Sequence, residues 1–207
     1  MTRIVCISDT HNLQGKITVP DGDILVHAGD IGAESHVSAV ANLDYWFGQL
    51  PHKHKIIIPG NHDFWIRDHQ QYVVDSMQHA TMLIDKEITV EGLKFWGSPW
   101  QPWFHDWAWN LPRGKALEQV WSLIPDDTDV LITHGPPRNI LDKVRYGGNE
   151  GCDDLRKRVF EVKPKLHVFG HIHEGYGQEE IDGIQFVNAS AWMHFNGTMK
   201  PPIVVDV

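Results

Sequence analysis

An α/β fold is the fold class that the sequence predicts, and two features predict it. The first is a recurring short apolar run, rich in valine and isoleucine, that ends in a polar cluster. Five such runs occur: RIVCIS, DILVHAG, KIIIPG, DVLIT and LHVFG. Runs of this length and composition are typical of buried strands. The second feature is a set of helical patterns between several of the runs, and this alternation predicts a sheet with helices on both faces.

Three segments carry apolar residues at the helical spacing i, i+3 and i+4. They are Val37, Val40, Leu43, Trp46 and Phe47; Cys152, Leu155, Val159 and Phe160; and, more weakly, Ala116, Val120, Leu123 and Ile124. The segment ITVEGLKFWGS predicts a hairpin that turns at Glu91 and Gly92, so the sheet system is expected to be mixed. No repeat or linker composition interrupts the chain, and we predict one domain over residues 1–207.

Composition limits the partners of the protein. Its 207 residues carry a formal net charge of −9, which argues against a protein that binds nucleic acid or anionic lipid through bulk charge. There are two cysteines, and Cys6 lies in an apolar run where it is expected to be a core residue. The low cysteine count predicts no disulfide framework and favours a cytoplasmic location. The N-terminal segment has no long apolar run, and no stretch approaches the ~20 apolar residues of a membrane helix.

A polar cluster follows the C-terminal end of each predicted strand. Ligands bind at this end of the strands in open α/β sheets, so the clusters are expected to converge on one site. The polar residues that the clusters supply are Asp9 and His11, then Asp30, Asn61 and His62, His134, and His171 and His173.

Carboxylate, imidazole and amide groups together are typical ligands of divalent metals such as Mn, Fe, Zn, Co or Ni. The set contains no thiolate, which argues against a structural zinc site. Without His62 there are seven potential ligands, too many for one tetrahedral ion but suited to two metals that share a carboxylate. Each motif alone also has an ordinary interpretation, because Asn, His, Asp and Gly make turns. Their order, each at a strand end, favours a two-metal hydrolase site.

The same motifs give the chain a family resemblance. SDTH, HAGD, PGNHD, THGPP and GHIHE, in this order, resemble the motifs of the calcineurin-like metallophosphoesterases. The segments GSPWQPWF and HVFGHIHEGYG are similar to the small metallophosphoesterase-domain-containing subfamily. The resemblance runs across nearly the whole chain. It implies a four-layer α/β/β/α sandwich with two central mixed sheets, and metals at the strand ends.

The resemblance also implies how the ligands divide between two ions. Asp30 would bridge them. The first ion would be held by Asp9, His11 and His173, and the second by Asn61, His134 and His171. Mn²⁺ is the first expectation for both ions, with Fe, Zn, Co or Ni as alternatives. The two histidines of GHIHE would then leave an irregular, glycine-rich turn toward different ions, rather than continue a strand on one face.

Four residues beside these ligands receive separate predictions. In the family pattern His62 faces the substrate and stabilises or protonates the leaving oxygen. Asp63 would orient His62, and the alternative is that Asp63 only caps the following turn. His27 is expected to be a packed or supporting histidine rather than a ligand. No role is predicted for Glu174.

The segment from Phe95 to Gly114 contains five tryptophans and three prolines. We predict that Trp100 and Trp103 form an aromatic wall beside the metals that stacks a nucleobase or an aryl leaving group. The alternative is a loop that packs against itself. His105 and Arg113 are further candidate contacts to the substrate.

The predicted function is metal-dependent hydrolysis of a small phosphodiester, such as a cyclic nucleotide, by a metal-activated hydroxide. The alternatives are a phosphomonoesterase, including a protein phosphatase, a nuclease, and a non-catalytic interaction module. Protein phosphatases of the superfamily place an arginine after the bridging aspartate, whereas GDIGAESH contains no arginine or lysine. The expected partner is a small-molecule phosphoester, without bulk nucleic acid or a membrane.

Overall fold

Two β-sheets form the centre of the structure, a computed structural model that describes residues 1–32, 37–192 and 199–207. The strands of the first sheet are β1 (Arg3–Ile7), β2 (Ile24–His27), β3 (His54–Ile57), β4 (Thr81–Met82) and β13 (Ile203–Asp206). Their order is β13-β1-β2-β3-β4. Strands β1 to β4 run parallel, and β13 pairs antiparallel with β1.

The second sheet is mixed, as predicted. Its strands are β5 (Lys86–Val90), β6 (Leu93–Ser98), β9 (Val130–Thr133), β10 (Leu166–Phe169), β11 (Gly177–Ile181) and β12 (Ile184–Asn188). They are arranged in the order β11-β12-β10-β9-β6-β5. The four inner strands are parallel, and the edge strands β5 and β11 pair antiparallel with β6 and β12. Two short strands, β7 (Gln101–Pro102) and β8 (Asn110–Leu111), pair separately.

Helices cover the outer face of each sheet. The helices are α1 (Val37–Gly48), α2 (Phe64–Asp68) and α3 (Gln70–Ser76) on the first sheet, and α4 (Lys115–Trp121) and α5 (Asp153–Val162) on the second. Short 3₁₀ helices span Gln14–Lys16 and His173–Gly175. Among the helices of the described part of the chain, none has the length and hydropathy that a bilayer-spanning segment needs.

The alternation of side chains along each strand produces the layers. In β1, Ile4 and Cys6 pack between the two sheets, while Val5 faces the helices of the first sheet. In β9, Ile132 joins the core between the sheets and Leu131 packs under α4 and α5. A strand with both faces buried must be apolar at every position, which explains the continuous apolar runs of the sequence. The four-layer sandwich is confirmed, and one domain over residues 1–207 stays a prediction.

The predicted hairpin joins β5 and β6 at the expected place. Val90 pairs with Leu93, which leaves Glu91 and Gly92 as a two-residue turn. Both have positive φ, 50° and 77°, as a type I′ turn requires. This turn matches the right-handed twist of the strands, so it fixes the register of the hairpin.

The helix predictions were correct for α1, where the side chain of Val37 lies outside the described part of the chain, and for α5, but wrong for the buried face of α4. The expected face held Ala116, Val120, Leu123 and Ile124, whereas the structure buries Leu117, Trp121 and Ile124. Helix α4 ends at Trp121, so Leu123 leaves the helical periodicity and is exposed. Burial of the large indole of Trp121 sets the face, because a tryptophan buries more apolar area than an alanine.

Candidate metal centre

The polar clusters meet where the strands of both sheets end. Strands β1, β2 and β3 of the first sheet and β9 and β10 of the second deliver loops to the same place. The imidazole Nδ1 of His134, after β9, lies 2.9 Å from the carbonyl oxygen of Ala28, after β2. The backbone N–H of His171, after β10, donates to the carboxylate of Asp9, after β1, at 3.1 Å. The predicted convergence of the strand ends is therefore present in the fold.

A first group of ligand atoms comprises Asp9, His11 and His173, whose atoms lie within 4.8 Å of one another. Asp9 is fully buried, and its Oδ1 lies 3.2 Å from Nε2 of His173. Ser190 donates its hydroxyl to the other oxygen, Oδ2, at 2.6 Å. The serine leaves Oδ1 directed toward the imidazoles.

The second group gathers around Asn61. Its side-chain Oδ1 lies 2.8 Å from Nε2 of His134 and 2.7 Å from Nδ1 of His171. Asp30 joins this group, because its Oδ1 lies 3.4 Å from Nε2 of His134. Asp9, Asp30 and His134 also form a set of potential ligand atoms within 4.8 Å.

Asp30 lies between the two groups. Its Oδ1 faces His134, and its Oδ2 lies 3.7 Å from Nε2 of His11. Each oxygen of one carboxylate is therefore directed to an imidazole of a different group. This is the arrangement that a carboxylate shared by two ions requires.

The donor set fits divalent cations. The Nδ1–H of His134 donates to the carbonyl of Ala28, so Nε2 is the ring nitrogen that faces Oδ1 of Asn61, at 2.8 Å. Because this oxygen is an acceptor, Nε2 must hold either a proton or, in its place, a metal ion. The Nδ2 of Asn61 is buried without a hydrogen-bond partner among the described residues. The nitrogen and oxygen ligands suit first-row divalent metals.

The electrostatics of the site also favour a cation. Burial opposes charge on His134, yet the carboxylates of Asp30 and Asp9 overcome it and raise its pKa to about 9. Burial also opposes charge on Asp30, but His134 holds the pKa of this carboxyl below its ordinary value. Burial, with a contribution from His134, lowers the pKa of His171 to about 3, so this ring is neutral. The carboxylates attract positive charge, and neutral His171 keeps a lone pair for a metal.

The backbone at the site is locally strained. Asp9, His11, Asp30 and His171 all have positive φ, between 43° and 66°, a region that few non-glycine residues adopt. Such conformations persist where the surrounding structure enforces them and are concentrated at functional sites. Gly170 permits the closest approach, since a Cβ there would lie 2.2 Å from Oδ2 of Asp9.

The two histidines of GHIHE diverge as expected. Strand β10 ends at Phe169, so neither histidine continues it. His171 lies at φ 66° and reaches Asn61, whereas His173 begins a 3₁₀ helix and reaches Asp9.

His62 and Asp63 occupy the loop after β3. The backbone N–H of His62 donates to Oδ1 of Asp30 at 2.8 Å, and its ring lies beside His11 at 5.3 Å between centroids. The carboxylate of Asp63 accepts backbone N–H groups from Gly60, Ile31 and Gly32 at 2.7, 3.2 and 3.0 Å. These bonds tie the loop after β3 to the loop after β2, and they leave α2 without a side-chain cap. Asp63 therefore positions the loops that carry Asn61 and Asp30, it does not cap α2, and its predicted action on His62 stays a prediction.

Asp63→Ala is expected to lower the free energy of unfolding by about 3 kcal/mol or more. Three buried N–H groups would lose their acceptor, at about 1–3 kcal/mol for each unsatisfied group. Urea unfolding checks this, with the exposed Asp68→Ala on α2 as a control that should change stability by less than about 1 kcal/mol. Equal stabilities of the two variants would contradict the positioning role.

The structure favours Trp107 over Trp100 as the tryptophan of this segment beside the site. The indole N–H of Trp100 donates to Asp85 at 2.9 Å, and its ring packs against Trp109. Trp103 is 62% exposed, and its contact with a substrate stays a prediction. The ring centroid of Trp107 lies 4.7 Å from that of His62. The tryptophan content of the segment indicated a wall, but only the path of the loop shows which indole forms it.

The two other candidate contacts in this segment differ. The guanidinium of Arg113 donates to the carbonyls of Gly151 and Glu150, so it serves a loop contact. His105 packs on Trp107 at 5.0 Å between centroids and belongs to the wall beside the site.

Supporting residues come from several parts of the chain. His27 is fully buried and accepts the N–H of Gly29 at Nδ1, which leaves its Nε2–H for the hydroxyl of Thr10 at 3.0 Å. Burial lowers the pKa of His27 to about 3, so it is a neutral link between two ligand loops.

Lys200 donates to the carbonyl of His173 at 2.8 Å. Lys200, like Ser190, has no motif around it, and only the fold reveals its place.

Comparison with known proteins agrees with the fold and the site. The family model for calcineurin-like phosphoesterases matches residues 2–175. Human metallophosphoesterase domain-containing protein 1 is 42% identical over 231 aligned positions, which cover 100% of this chain and 71% of that protein. The UPF0046 protein K07C11.7 of Caenorhabditis elegans is 34% identical, covering 98% of this chain and 74% of its own.

A crystal structure with 16% sequence identity shares the fold, with a TM-score of 0.64 over 90% of each chain. The five ordered motifs and the two groups of ligand atoms lie within the segment that the family model matches, whereas the supporting residues Ser190 and Lys200 lie after it. The chain therefore belongs to the calcineurin-like phosphoesterase family, a family of metal-dependent phosphoester hydrolases.

Proposed function

We propose that the protein hydrolyses small phosphodiesters, such as cyclic nucleotides, at a centre of two divalent ions, with Mn²⁺ as the first candidate metal. The observation that carries the dinuclear centre is the position of Asp30. Its two oxygens are directed to His134 at 3.4 Å and to His11 at 3.7 Å. One carboxylate can thereby serve both ions.

Each ion has its own set of residues in this proposal. Asp9, His11 and His173 would hold the first, and Asn61, His134 and His171 the second, with Asp30 common to both. When bound, the two ions supply a water of lowered pKa as nucleophile and neutralise the charge that develops on the phosphate. Ala28 and Ser190 fix the orientations of His134 and Asp9 and thereby the directions of their ligand atoms.

His62 is the residue that we assign to the leaving oxygen. Its backbone N–H is bonded to Asp30, so the residue is held at the centre. Its ring lies beside His11 on one side and Trp107 on the other. A histidine held in this way can donate a proton to an oxygen that leaves phosphorus.

The charges around the centre favour a singly charged substrate. A monoester carries close to two negative charges at pH 7, and arginine binds such a group through two parallel hydrogen bonds. Arg67 instead pairs with Asp68 and lies over Phe64. Arg113 is bonded to backbone carbonyls of another loop. A diester, with one negative charge, fits a site whose positive charge comes mainly from its metals.

A phosphomonoesterase is the second candidate, and Lys200 is the observation that favours it. Its ammonium donates to the carbonyl of His173 and lies 4.6 Å from the centroid of the Tyr176 ring. Burial lowers the pKa of Lys200, whereas the negative charges of Glu174 and Asp9 raise it. The bond to His173 holds the ammonium close to the first metal group. A lysine ammonium acts as a point charge and does not bind phosphate oxygens through the two parallel hydrogen bonds that an arginine guanidinium makes.

Diester preference is tested by kcat/KM for bis(p-nitrophenyl) phosphate and p-nitrophenyl phosphate, measured on one preparation loaded with Mn²⁺. We expect the diester to have the higher value. Lys200→Met should reduce any monoester activity more than diester activity, since it removes a cation that only the dianion needs. A higher kcat/KM for the monoester would reject the diester proposal in favour of the second candidate.

A further inference from the structure

We propose that Phe104, His105 and Trp107 form an aromatic wall on the leaving-group side of the centre, so that the enzyme selects diesters whose leaving group is aromatic or carries a nucleobase. This inference rests on the proposed function and on the role of His62 in it. It goes beyond that function because it states which of the two ester substituents the protein recognises.

The wall lies directly against the residue assigned to the leaving oxygen. The ring centroid of Trp107 is 4.7 Å from that of His62, with 48° between the ring planes. Its edge also faces His171, at 6.5 Å and 88°. The ring of His62 also lies beside that of His11, which belongs to the first metal group. Trp107 therefore contacts His62 directly and also lies near a ligand of the second metal group.

The loop that carries the wall is closed and held in place. Strands β7 and β8 form its neck, where Gln101 donates to the carbonyl of Trp109 at 3.0 Å. Inside the loop, the side-chain Nδ2 of Asn110 donates to the carbonyls of Phe104 and His105 at 3.2 and 2.9 Å. Trp109 is buried in the core and anchors one end.

A backbone hydrogen bond connects this loop to the centre. The backbone N–H of Ala108, next to Trp107, donates to the carbonyl of Asn61 at 3.0 Å. Asn61 carries the amide oxygen assigned to the second ion, and His62 follows it directly. The wall and the leaving-group residue are therefore positioned by the same short segment, and binding an aromatic group needs little ordering of the protein.

The surface of the wall is open to a ligand. Phe104 packs on Trp107 at 5.2 Å between centroids, yet 52% of its surface is exposed. Trp107 and His105 pack at 5.0 Å, which makes the three rings one continuous aromatic surface. An aromatic group that contacts such a surface gains both buried apolar area and favourable ring–ring geometry.

The chemistry decides which substituent reaches the wall. A water molecule releases one proton to solvent, and its oxygen forms a new bond to phosphorus. The bond between phosphorus and the leaving oxygen breaks, that oxygen takes a proton from His62, and His62 recovers a proton from solvent. The leaving oxygen must therefore lie within hydrogen-bond distance of the His62 ring. Its substituent then extends to the neighbouring Trp107, whereas the retained substituent stays on the phosphate at the metals.

Assays of three diesters with the Mn²⁺-loaded enzyme distinguish the possible roles of Trp107. Methyl p-nitrophenyl phosphate and bis(p-nitrophenyl) phosphate have the same aromatic leaving group and differ in the retained group. Bis(2,2,2-trifluoroethyl) phosphate has a non-aromatic leaving group. For Trp107→Leu we expect kcat/KM to fall by the same factor, about 5- to 150-fold, on both aryl substrates. The loss on the trifluoroethyl diester should be under about 3-fold, and Trp107→Phe should restore most of the aryl activity.

Three results would overturn the inference. A larger loss on bis(p-nitrophenyl) phosphate than on the methyl ester would place the wall on the retained side. A loss that is largest on the trifluoroethyl diester would show that Trp107 only positions His62, because the poorest leaving group needs its proton most. An equal loss on all three substrates would also exclude leaving-group recognition.

Controls distinguish this inference from the proposed function. Trp46→Leu changes a partly buried tryptophan of α1 that packs against the core, and it should leave all three values unchanged. Phe104→Ala changes an exposed ring and should give a smaller loss on the same two aryl substrates, even if Trp107→Leu folds poorly. If wild-type protein cleaves no diester, the proposed function fails. If it cleaves all three and Trp107→Leu shows no preference, only the wall is rejected.

Discussion

Asp30→Ala should remove more bound metal than any other single substitution, from two Mn²⁺ ions per chain to fewer than one. The physical reason is that its two oxygens face His134 and His11, which belong to different groups. Loss of the shared carboxylate weakens both sites and removes a negative charge between two cations. Because the metals supply several kcal/mol of transition-state stabilisation, kcat/KM should fall by about 10³-fold or more. Metal analysis after gel filtration measures the ion count.

Asp9→Ala is the critical comparison, because Asp9 also belongs to both groups of ligand atoms. Its Oδ2 is occupied by the hydroxyl of Ser190, so we expect Asp9→Ala to weaken mainly the ion of His11 and His173. Asp142→Ala provides a matched control, since Asp142 is also buried but, among the described residues, its carboxylate binds only the backbone of Asn139 and Gly151. If Asp9→Ala loses both ions while Asp30→Ala keeps one, the bridging carboxylate is Asp9.

The sequence predicted the structure correctly where a physical requirement can be met by few residue types. The apolar runs predicted buried strands because both faces of such strands are covered, and the core between the sheets bears this out. Glu91 and Gly92 predicted their turn because few residues adopt positive φ at two consecutive positions. The polar residues after each strand predicted one site, since parallel strands end at the same edge.

The sequence was less informative where side chains compete for the same space. The periodicity of α4 allowed two faces, and the volume of Trp121 decides between them. The five tryptophans of the loop look alike in the sequence, but Trp96 and Trp109 are buried in the core. Only the closure of the loop at β7 and β8 directs Trp107 to the centre.

Contacts between distant segments could not be predicted from one sequence. Asp63 was expected to act on its neighbour His62 or to cap the next turn, yet its carboxylate accepts N–H groups of Ile31 and Gly32. Ser190 lies 181 positions from Asp9 in the chain and donates to it at 2.6 Å. Neither contact has a periodicity or a motif, because each depends on the packing of two loops.

His62→Ala should lower kcat by about 10²- to 10⁴-fold, the range for a positioned general acid, while the metal content stays at two ions per chain. The ring of His62 lies 5.3 Å from that of His11 and 4.7 Å from that of Trp107, so it is beside the centre but belongs to neither group of ligand atoms. His79→Ala is a control, because His79 pairs with Asp44 on the surface. A loss of metal in His62→Ala would contradict this assignment and make His62 a ligand.

The dependence on the leaving group tests what His62 contributes to the reaction. A proton donor matters most when the leaving oxygen is strongly basic, so the loss in His62→Ala should be small for p-nitrophenolate and large for an alkoxide. Wild-type kcat should then depend weakly on the leaving-group pKa, and the variant should depend on it steeply. His62→Gln can still donate a hydrogen bond but no proton, and it should behave like His62→Ala. Equal losses across all leaving groups, with partial rescue by glutamine, would instead show that His62 stabilises charge on the phosphate without transferring a proton.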